Sequence, residues 1–129
     1  MDSYRSRKIF TIIWTAGVAA APVAKNCDFP LDAKFRVLAN ASLQIVDGDK
    51  VIANAWTAGD LSAVPDLSGG GVGGYCVPNA QHAVRQAKLL AKNLVADMRE
   101  EAPTEYIHKN LGAVAGLGIG VGAFQSGKI

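Results

Sequence analysis

A carboxylate stands directly after a short apolar run near the middle of the sequence. The segment "AWTAGDLSAVPD", residues 55–66, predicts a strand that delivers the chain to Gly59 and Asp60. Glycine lets another molecule approach the backbone closely, and a carboxylate accepts hydrogen bonds from the hydroxyls of a ribityl chain or a ribose. Because open α/β sheets bind ligands outside the carboxyl ends of their strands, the pair is a candidate polyol site. The same two residues also suit an ordinary turn, so the pair alone does not define a site.

The start of the clearest helix is the second candidate. Asn79 is a favoured N-cap residue and directly precedes "AQHAVRQAKLLAKNLVADMRE", residues 80–100. The free N–H groups and the partial positive charge at such a helix end suit the N1–C2=O edge of a flavin, where negative charge accumulates on reduction. The strand end, the glycine-rich loop and this helix could together cradle a polyol and an electron-rich ring.

Local patterns predict the elements that position these groups. The β-branched run at 8–14 predicts a strand buried in a parallel sheet, 35–46 one or two strands, and 51–58 another. Residues 22–34, 47–50 and 62–78 are predicted to be loops or turns. The apolar positions of the helix recur at helical spacing and predict a packed face, with a solvated face that holds His82. Pro103 is expected to end the helix, and 104–124 to form one or two glycine-broken strands.

Composition restricts the class of protein. The 129 residues are half hydrophobic and carry a net charge of +2, which indicates about one globular domain. The basic residues are scattered, so nothing favours nucleic-acid binding. Cys27 and Cys76 are too far apart in sequence to suggest a metal site, and free thiols in a reducing compartment are expected. The apolar stretch near the C-terminus, at 111–124, is shorter than the roughly 20 residues of a membrane-spanning helix.

Four quoted segments resemble, in order and spacing, the later part of FAD-dependent type II NADH dehydrogenases of the actinobacterial kind. They are "TIIWTAGV", "AWTAGDLSAVPD", "VPNAQHAVRQAKLLAKNL" and "YIHKNLGAVAGLGIGVG", and the resemblance spans residues 9–124. It implies an α/β fold: residues 1–101 would be the C-terminal portion of a Rossmann-like FAD-binding domain, with strands and one long helix. Residues 102–129 would begin a C-terminal β segment on the quinone and membrane side.

The resemblance also implies site residues for the cofactor. Gly59 and Asp60 match the pair that binds the flavin's ribityl chain. Ala80 and Gln81 match the pair at the start of the helix beneath the isoalloxazine ring. Gly17, with Ala16 before it, matches a turn close to the cofactors, and a plain strand-to-loop turn is the alternative interpretation.

On the quinone side, the resemblance points to Gln81, Ala83 and Gln86, although family members often have Glu at the last of these positions. Tyr106, His108 and Lys109 match the segment that enters the C-terminal region, where a surface-facing strand is the simpler interpretation.

The resemblance implies an activity that is incomplete in this chain. In the complete enzyme NADH would reduce FAD, and FAD would reduce a quinone, in the cytoplasm at the inner face of the cell membrane. The segment "GGGVGG", residues 69–74, matches the letters of GxGxxG but follows a proline-containing loop rather than a strand, so it does not predict a nucleotide-binding turn. An internal portion of such an enzyme is therefore expected. Its partners would be NADH, a quinone, and the missing N-terminal portion or a second copy of the chain.

Two other classes of protein stay open. One is a non-catalytic truncated remnant or interaction module. The other is a small secreted protein with a Cys27–Cys76 disulfide, because Arg5, Arg7 and Lys8 precede an apolar stretch in the order of a signal peptide. Gly17 and Pro22 interrupt that stretch as a strand followed by a turn would.

Overall fold

The computed structural model of the protein describes residues 11–13, 17–69, 71, 73–109 and 111–125. Among them are a 3-10 helix at Pro22–Asn26 and one α-helix, α1, at Ala80–Met98. The strands are β1 (Val37–Leu38), β2 (Gln44–Asp47), β3 (Lys50–Trp56), β4 (Ser62–Ala63), β5 (Ala113–Gly118) and β6 (Val121–Gln125). The mixed helix and strand content agrees with the predicted α/β class in its general form.

The strands form three separate two-stranded sheets. β1 pairs in parallel with β4, so that Val37 lies beside Ser62. β2 and β3 form an antiparallel hairpin around the predicted turn at 47–50, and β5 and β6 form a second hairpin. The strands expected within 35–46, at 51–58 and within 104–124 are therefore confirmed, while the predicted loop at 62–78 contains β4. Of the strand predicted at 8–14, only residues 11–13 are described, and they lie exposed outside any strand.

Two small clusters of buried side chains make up the core of the described residues. The first contains Ala39, Leu43, Val64, Cys76 and Tyr106, with Trp56, Leu89 and Leu90 packed against it. The second contains Ala24, Val37 and Ile45, with Leu31, Ile52, Ala55 and Leu61 around it. Helix α1 and the segment after it share the first cluster, which fixes that segment beside the helix.

Helix α1 begins where the sequence predicts and ends earlier than expected. The Asn79 side chain accepts a 2.8 Å hydrogen bond from the backbone N–H of His82, as an N-cap should. The helix ends at Met98, before Pro103, because Glu100 adopts a left-handed conformation with φ 59°. The N–H of Glu101 then closes the end by donating to the Ala96 carbonyl.

The packed face of α1 differs from the prediction. His82, Gln86 and Asn93 are buried, whereas the apolar residues Val84 and Met98 are 54% and 84% exposed. The expectation of a solvated His82 is therefore wrong, since only 3% of it is exposed. The helix packs through Leu89 and Leu90 and also through polar side chains that satisfy groups on other segments. Hydrophobic periodicity does not detect the polar contacts.

Candidate functional site

The Gly59–Asp60 pair lies against the first turns of α1. The N–H of Gly59 donates a 2.7 Å hydrogen bond to Oε1 of Gln86, which is 2% exposed. A Cβ built on Gly59 would lie 3.7 Å from the Cβ of Ala83, so the backbone of this turn touches the helix. Gly59 has φ +81°, a left-handed conformation that glycine adopts without strain. The hydrogen bond therefore fixes the strand end relative to the helix.

Asp60 lines an open pocket with residues from the loop before β1 and from the N-terminal side of α1. The pocket has a volume of about 580 Å³ and is lined by Val18, Ala19, Ala20, Ala33, Lys34, Phe35, Arg36, Asp60 and Pro78. Pro78 stands one residue before the N-cap. Asp60 is exposed, and it makes no ion pair or side-chain hydrogen bond with any other residue that the structure describes. Its carboxylate is thus available to a ligand's hydroxyl groups.

The other predicted cofactor residues, Gln81, Ala80 and Gly17, are not among the residues that line this pocket. Gln81 is half-buried: its Nε2 donates a 3.2 Å hydrogen bond to the Gly112 carbonyl, and its Oε1 is buried without a partner in the described part of the chain. Ala80 is exposed on the first turn of α1. Gly17 is exposed with φ +51° and precedes the pocket residue Val18. Ala16 falls outside the described residues.

Of the predicted quinone-side residues, Gln86 has a structural contact. Its side-chain carbonyl accepts the hydrogen bond from the Gly59 N–H, and the side chain is buried next to the turn that follows β3. Ala83 is half-buried beside Gly59. The role of Gln81, Ala83 and Gln86 toward a quinone stays a prediction.

A buried polar cluster, formed by His82, Tyr106 and His108, lies on the packed face of α1. His82 Nδ1 and Tyr106 Oη are 2.9 Å apart, and the His108 ring meets the His82 ring edge-on at 5.7 Å between centroids. Tyr106 is 4% exposed and His108 is half-buried, so neither lies on a surface-facing strand. His108 Nε2 is buried and has no partner among the described residues. Lys109, which was predicted with them, is exposed.

Burial sets the ionisation of this cluster. Burial lowers the pKa of His82, and the nearby His108 and Arg85 lower it further, against the opposing effect of Asp66. Burial also raises the pKa of Tyr106 to about 12. Both partners of the hydrogen bond are therefore neutral near pH 7, and the cluster fastens the segment after α1 to the helix.

The sequence pattern did not indicate that the loop at 32–36 lines the pocket. Arg36 is held by Asp32, with Nε 2.8 Å and Nη2 2.7 Å from Oδ2. Burial raises the pKa of the Asp32 carboxyl, but the hydrogen bonds from Arg36 and Lys34 outweigh that effect and hold the pKa below its usual range. An Asp followed four residues later by Arg is too common a pattern to have revealed this loop.

Other features carry no site within the described residues. Cys27 is exposed and Cys76 is buried, and both are free thiols. Burial, with the nearby Asp66, raises the pKa of Cys76 to about 11, so it is no thiolate nucleophile at pH 7. In the described ranges no cluster of three or more His, Cys, Asp or Glu residues could hold a metal ion. Within the described residues no helix combines the length and the apolar character that crossing a bilayer requires.

No protein-family model matches the chain, and no curated protein is detectably similar to it.

Proposed function

We propose that the chain supplies part of the flavin site of a FAD-dependent NADH:quinone oxidoreductase of the type II NADH dehydrogenase kind. The single observation that carries the proposal is the pocket shared by Asp60 and Pro78, one residue before the N-cap of α1. The Gly59–Gln86 hydrogen bond supports it, because it joins the strand end to the helix that the resemblance puts beneath the ring. The resemblance of the four sequence segments supplies the identity of the cofactor.

The residues present fit the ribityl and ring portions of FAD. Asp60 would accept hydrogen bonds from the ribityl hydroxyls, and the start of α1 would favour negative charge at the ring edge. The resemblance assigns Gln81 to the ring, and its buried Oε1 lacks a donor in the described part of the chain, but Gln81 does not line the pocket that contains Asp60. The bound flavin would accept a hydride from NADH and pass the electrons to a quinone.

The chain offers no GxGxxG turn in the strand-to-helix context that the pyrophosphate of FAD requires, because "GGGVGG" at 69–74 follows a proline-containing loop and leads to Pro78. The proposal therefore predicts weak binding of FAD by the 129 residues and no turnover. In the complete enzyme the site would lie in the cytoplasm, at the inner face of the membrane, with NADH and a quinone as substrates. A polypeptide segment that carries the nucleotide-binding turns, or a second copy of the chain, would be the protein partner.

The experiment that tests activity mixes the purified chain with FAD, NADH and a water-soluble quinone, and follows NADH absorbance. No NADH oxidation above the rate without protein is expected, because the chain offers no GxGxxG turn in the strand-to-helix context that binds a dinucleotide. Turnover by the purified chain would contradict the proposal that it supplies only part of the flavin site.

The second candidate function is a non-catalytic interaction module, and the exposed apolar residues of α1 favour it. This candidate predicts a colourless protein whose absorbance spectrum does not change when flavin is added. Under the flavin proposal the spectrum of added flavin shifts on binding, so one titration distinguishes the two.

A further inference from the structure

The loop at 32–36 forms one wall of the pocket and is held tightly by its first residue. The Asp32 carboxylate accepts hydrogen bonds from the backbone N–H groups of Lys34 and Arg36, each at 2.8 Å. The N–H of Phe35 donates to the Asp32 carbonyl at 2.9 Å, and the N–H of Asp32 donates to the Arg36 carbonyl at 2.8 Å. These bonds fix the backbone at Phe35, so its conformation is set by the loop.

Phe35 occupies a backbone conformation that favours glycine. Its φ is 61°, in the left-handed region, where a bulky side chain is an outlier. A turn followed by a left-handed residue is a common tight loop, and glycine is the usual residue at that position. The Phe35 ring is 49% exposed, and the Lys25 ammonium lies 3.6 Å from its centroid. Burial therefore gives little compensation for the strain, and backbone strain of this kind concentrates at ligand sites.

Two opposite charges share the pocket with Phe35. Lys34 and Asp60 both line it, and within the described ranges neither side chain has an ion pair or a hydrogen bond. Arg36 also lines the pocket, but its guanidinium is already paired with Asp32. The remaining lining residues, among them Ala19 and Pro78, are apolar. The pocket thus offers an aromatic ring, a free cation and a free carboxylate beside an apolar wall.

We infer that Phe35 and Lys34 contact the ligand of this pocket, with Phe35 packed against a planar aromatic ring and Lys34 paired with a phosphate. Asp60 would then accept hydrogen bonds from the hydroxyl groups of the linker between the ligand's ring and its phosphate. The ligand class is a planar ring joined through a polyol or a sugar to a single phosphate. A volume of about 580 Å³ is in the usual range for a small-molecule site. The inference rests on the proposed function for the choice of a flavin as the first probe.

The test is a set of equilibrium titrations of the full chain with flavin mononucleotide, riboflavin and AMP. The wild-type chain is compared with Lys34→Ala, Phe35→Gly and, as a matched control, Lys50→Ala at the exposed first residue of β3. Flavin mononucleotide is expected to bind about tenfold more tightly than riboflavin, because only it can pair with Lys34. Lys34→Ala should remove that difference, and Lys50→Ala should retain it.

Phe35→Gly separates a ligand contact from a structural role. It should weaken binding of both flavins about fivefold through loss of the aromatic contact. Its melting temperature should equal or exceed that of the wild type, because glycine adopts the left-handed conformation without strain. A lower melting temperature with unchanged flavin affinity would show that Phe35 is only structural, which overturns the inference.

The remaining outcomes distinguish this inference from the proposed function. Equal affinity for flavin mononucleotide and riboflavin overturns the inference alone, whereas the failure of all three probes to bind overturns both the inference and the flavin proposal. Riboflavin binding that depends on Asp60 but not on Phe35 or Lys34 leaves the proposed function intact and overturns the inference. Binding of AMP alone, with dependence on Phe35 and Lys34, supports the inference and contradicts the flavin proposal.

Discussion

Asn93 shows how a single buried polar side chain fastens separate segments of this protein. It is 1% exposed, and its Nδ2 donates 2.9 Å hydrogen bonds to the carbonyls of Ser42 and Thr104. Its Oδ1 accepts a third, also 2.9 Å, from the Thr104 N–H. These bonds join α1 to the loop before β2 and to the segment after the helix.

Asn93→Ala is expected to lower the free energy of unfolding by about 3 kcal/mol, because it leaves buried backbone groups without partners. Urea denaturation followed by circular dichroism measures the change. Lys92→Ala, at the exposed neighbouring position, is the control and should change it by less than about 0.5 kcal/mol. Equal effects of the two substitutions would show that the Asn93 bonds do not hold these segments.

His82 makes stability depend on pH. Its folded-state pKa is lowered, first by burial, so the unfolded chain binds a proton more readily than the folded one. Its contribution is fully present above the unfolded pKa of about 6.5 and is lost as the pH falls through the lower folded pKa. Urea midpoints at pH 7.5 and at pH 5 should therefore show a less stable protein at pH 5.

His82→Gln should reduce this pH dependence, because glutamine does not titrate in that range. His108 lies against the same ring, so His108→Gln is measured alongside it. A pH dependence that is unchanged in His82→Gln would contradict the assignment to His82.

Among the elements, α1 shows most clearly what the sequence can and cannot predict. Its start was predictable because an N-cap is a local feature, and Asn79 performs that role. Its packed face was not, because Gln86 and Asn93 are buried by partners that lie 27 and 51 residues away, at Gly59 and Ser42. Hydrophobic periodicity contains no information about such distant hydrogen bonds.

A pair of lysine substitutions tests the orientation of α1. Val84→Lys should change the free energy of unfolding by less than about 0.5 kcal/mol, because Val84 is exposed and lysine favours helix. Leu90→Lys should lower it by about 2 to 3 kcal/mol, because Leu90 packs against the first core cluster. Thermal and urea unfolding measure both. A loss for Val84→Lys as large as that for Leu90→Lys would instead support the orientation predicted from periodicity, which puts both residues on the packed face.

The loop at 32–36 shows a different limit at the element scale. The sequence marks 22–34 as loop, but it does not reveal that Phe35 takes a left-handed conformation. That conformation follows from the hydrogen bonds around Asp32, and the usual indicator, a glycine, is missing at this position. The Gly59–Asp60 turn, in contrast, has a glycine at the position where φ is positive. Because glycine is the usual indicator of that conformation, this turn was predictable from the sequence.

At the scale of the whole molecule, the described residues combine one helix with three small sheets. Residues on the β5–β6 hairpin are exposed, Val114 and Phe124 among them. A two-stranded hairpin alone is marginally stable, and exposed apolar surface of this extent marks contact sites. Both features fit a chain that contacts further protein, which the flavin proposal and the interaction-module candidate each expect.

The central claim is that Asp60 and the start of α1 bind one flavin. The most direct measurement is a riboflavin titration of the wild-type chain, followed by quenching of flavin fluorescence, beside Asp60→Ala and the control Asp49→Ala in the exposed turn at 47–50. The account predicts weak, saturable binding that Asp60→Ala weakens about tenfold, since the charged hydrogen-bond acceptor is lost, and that Asp49→Ala leaves unchanged. Binding that is absent from the wild type, or equal in Asp60→Ala and the wild type, would contradict it.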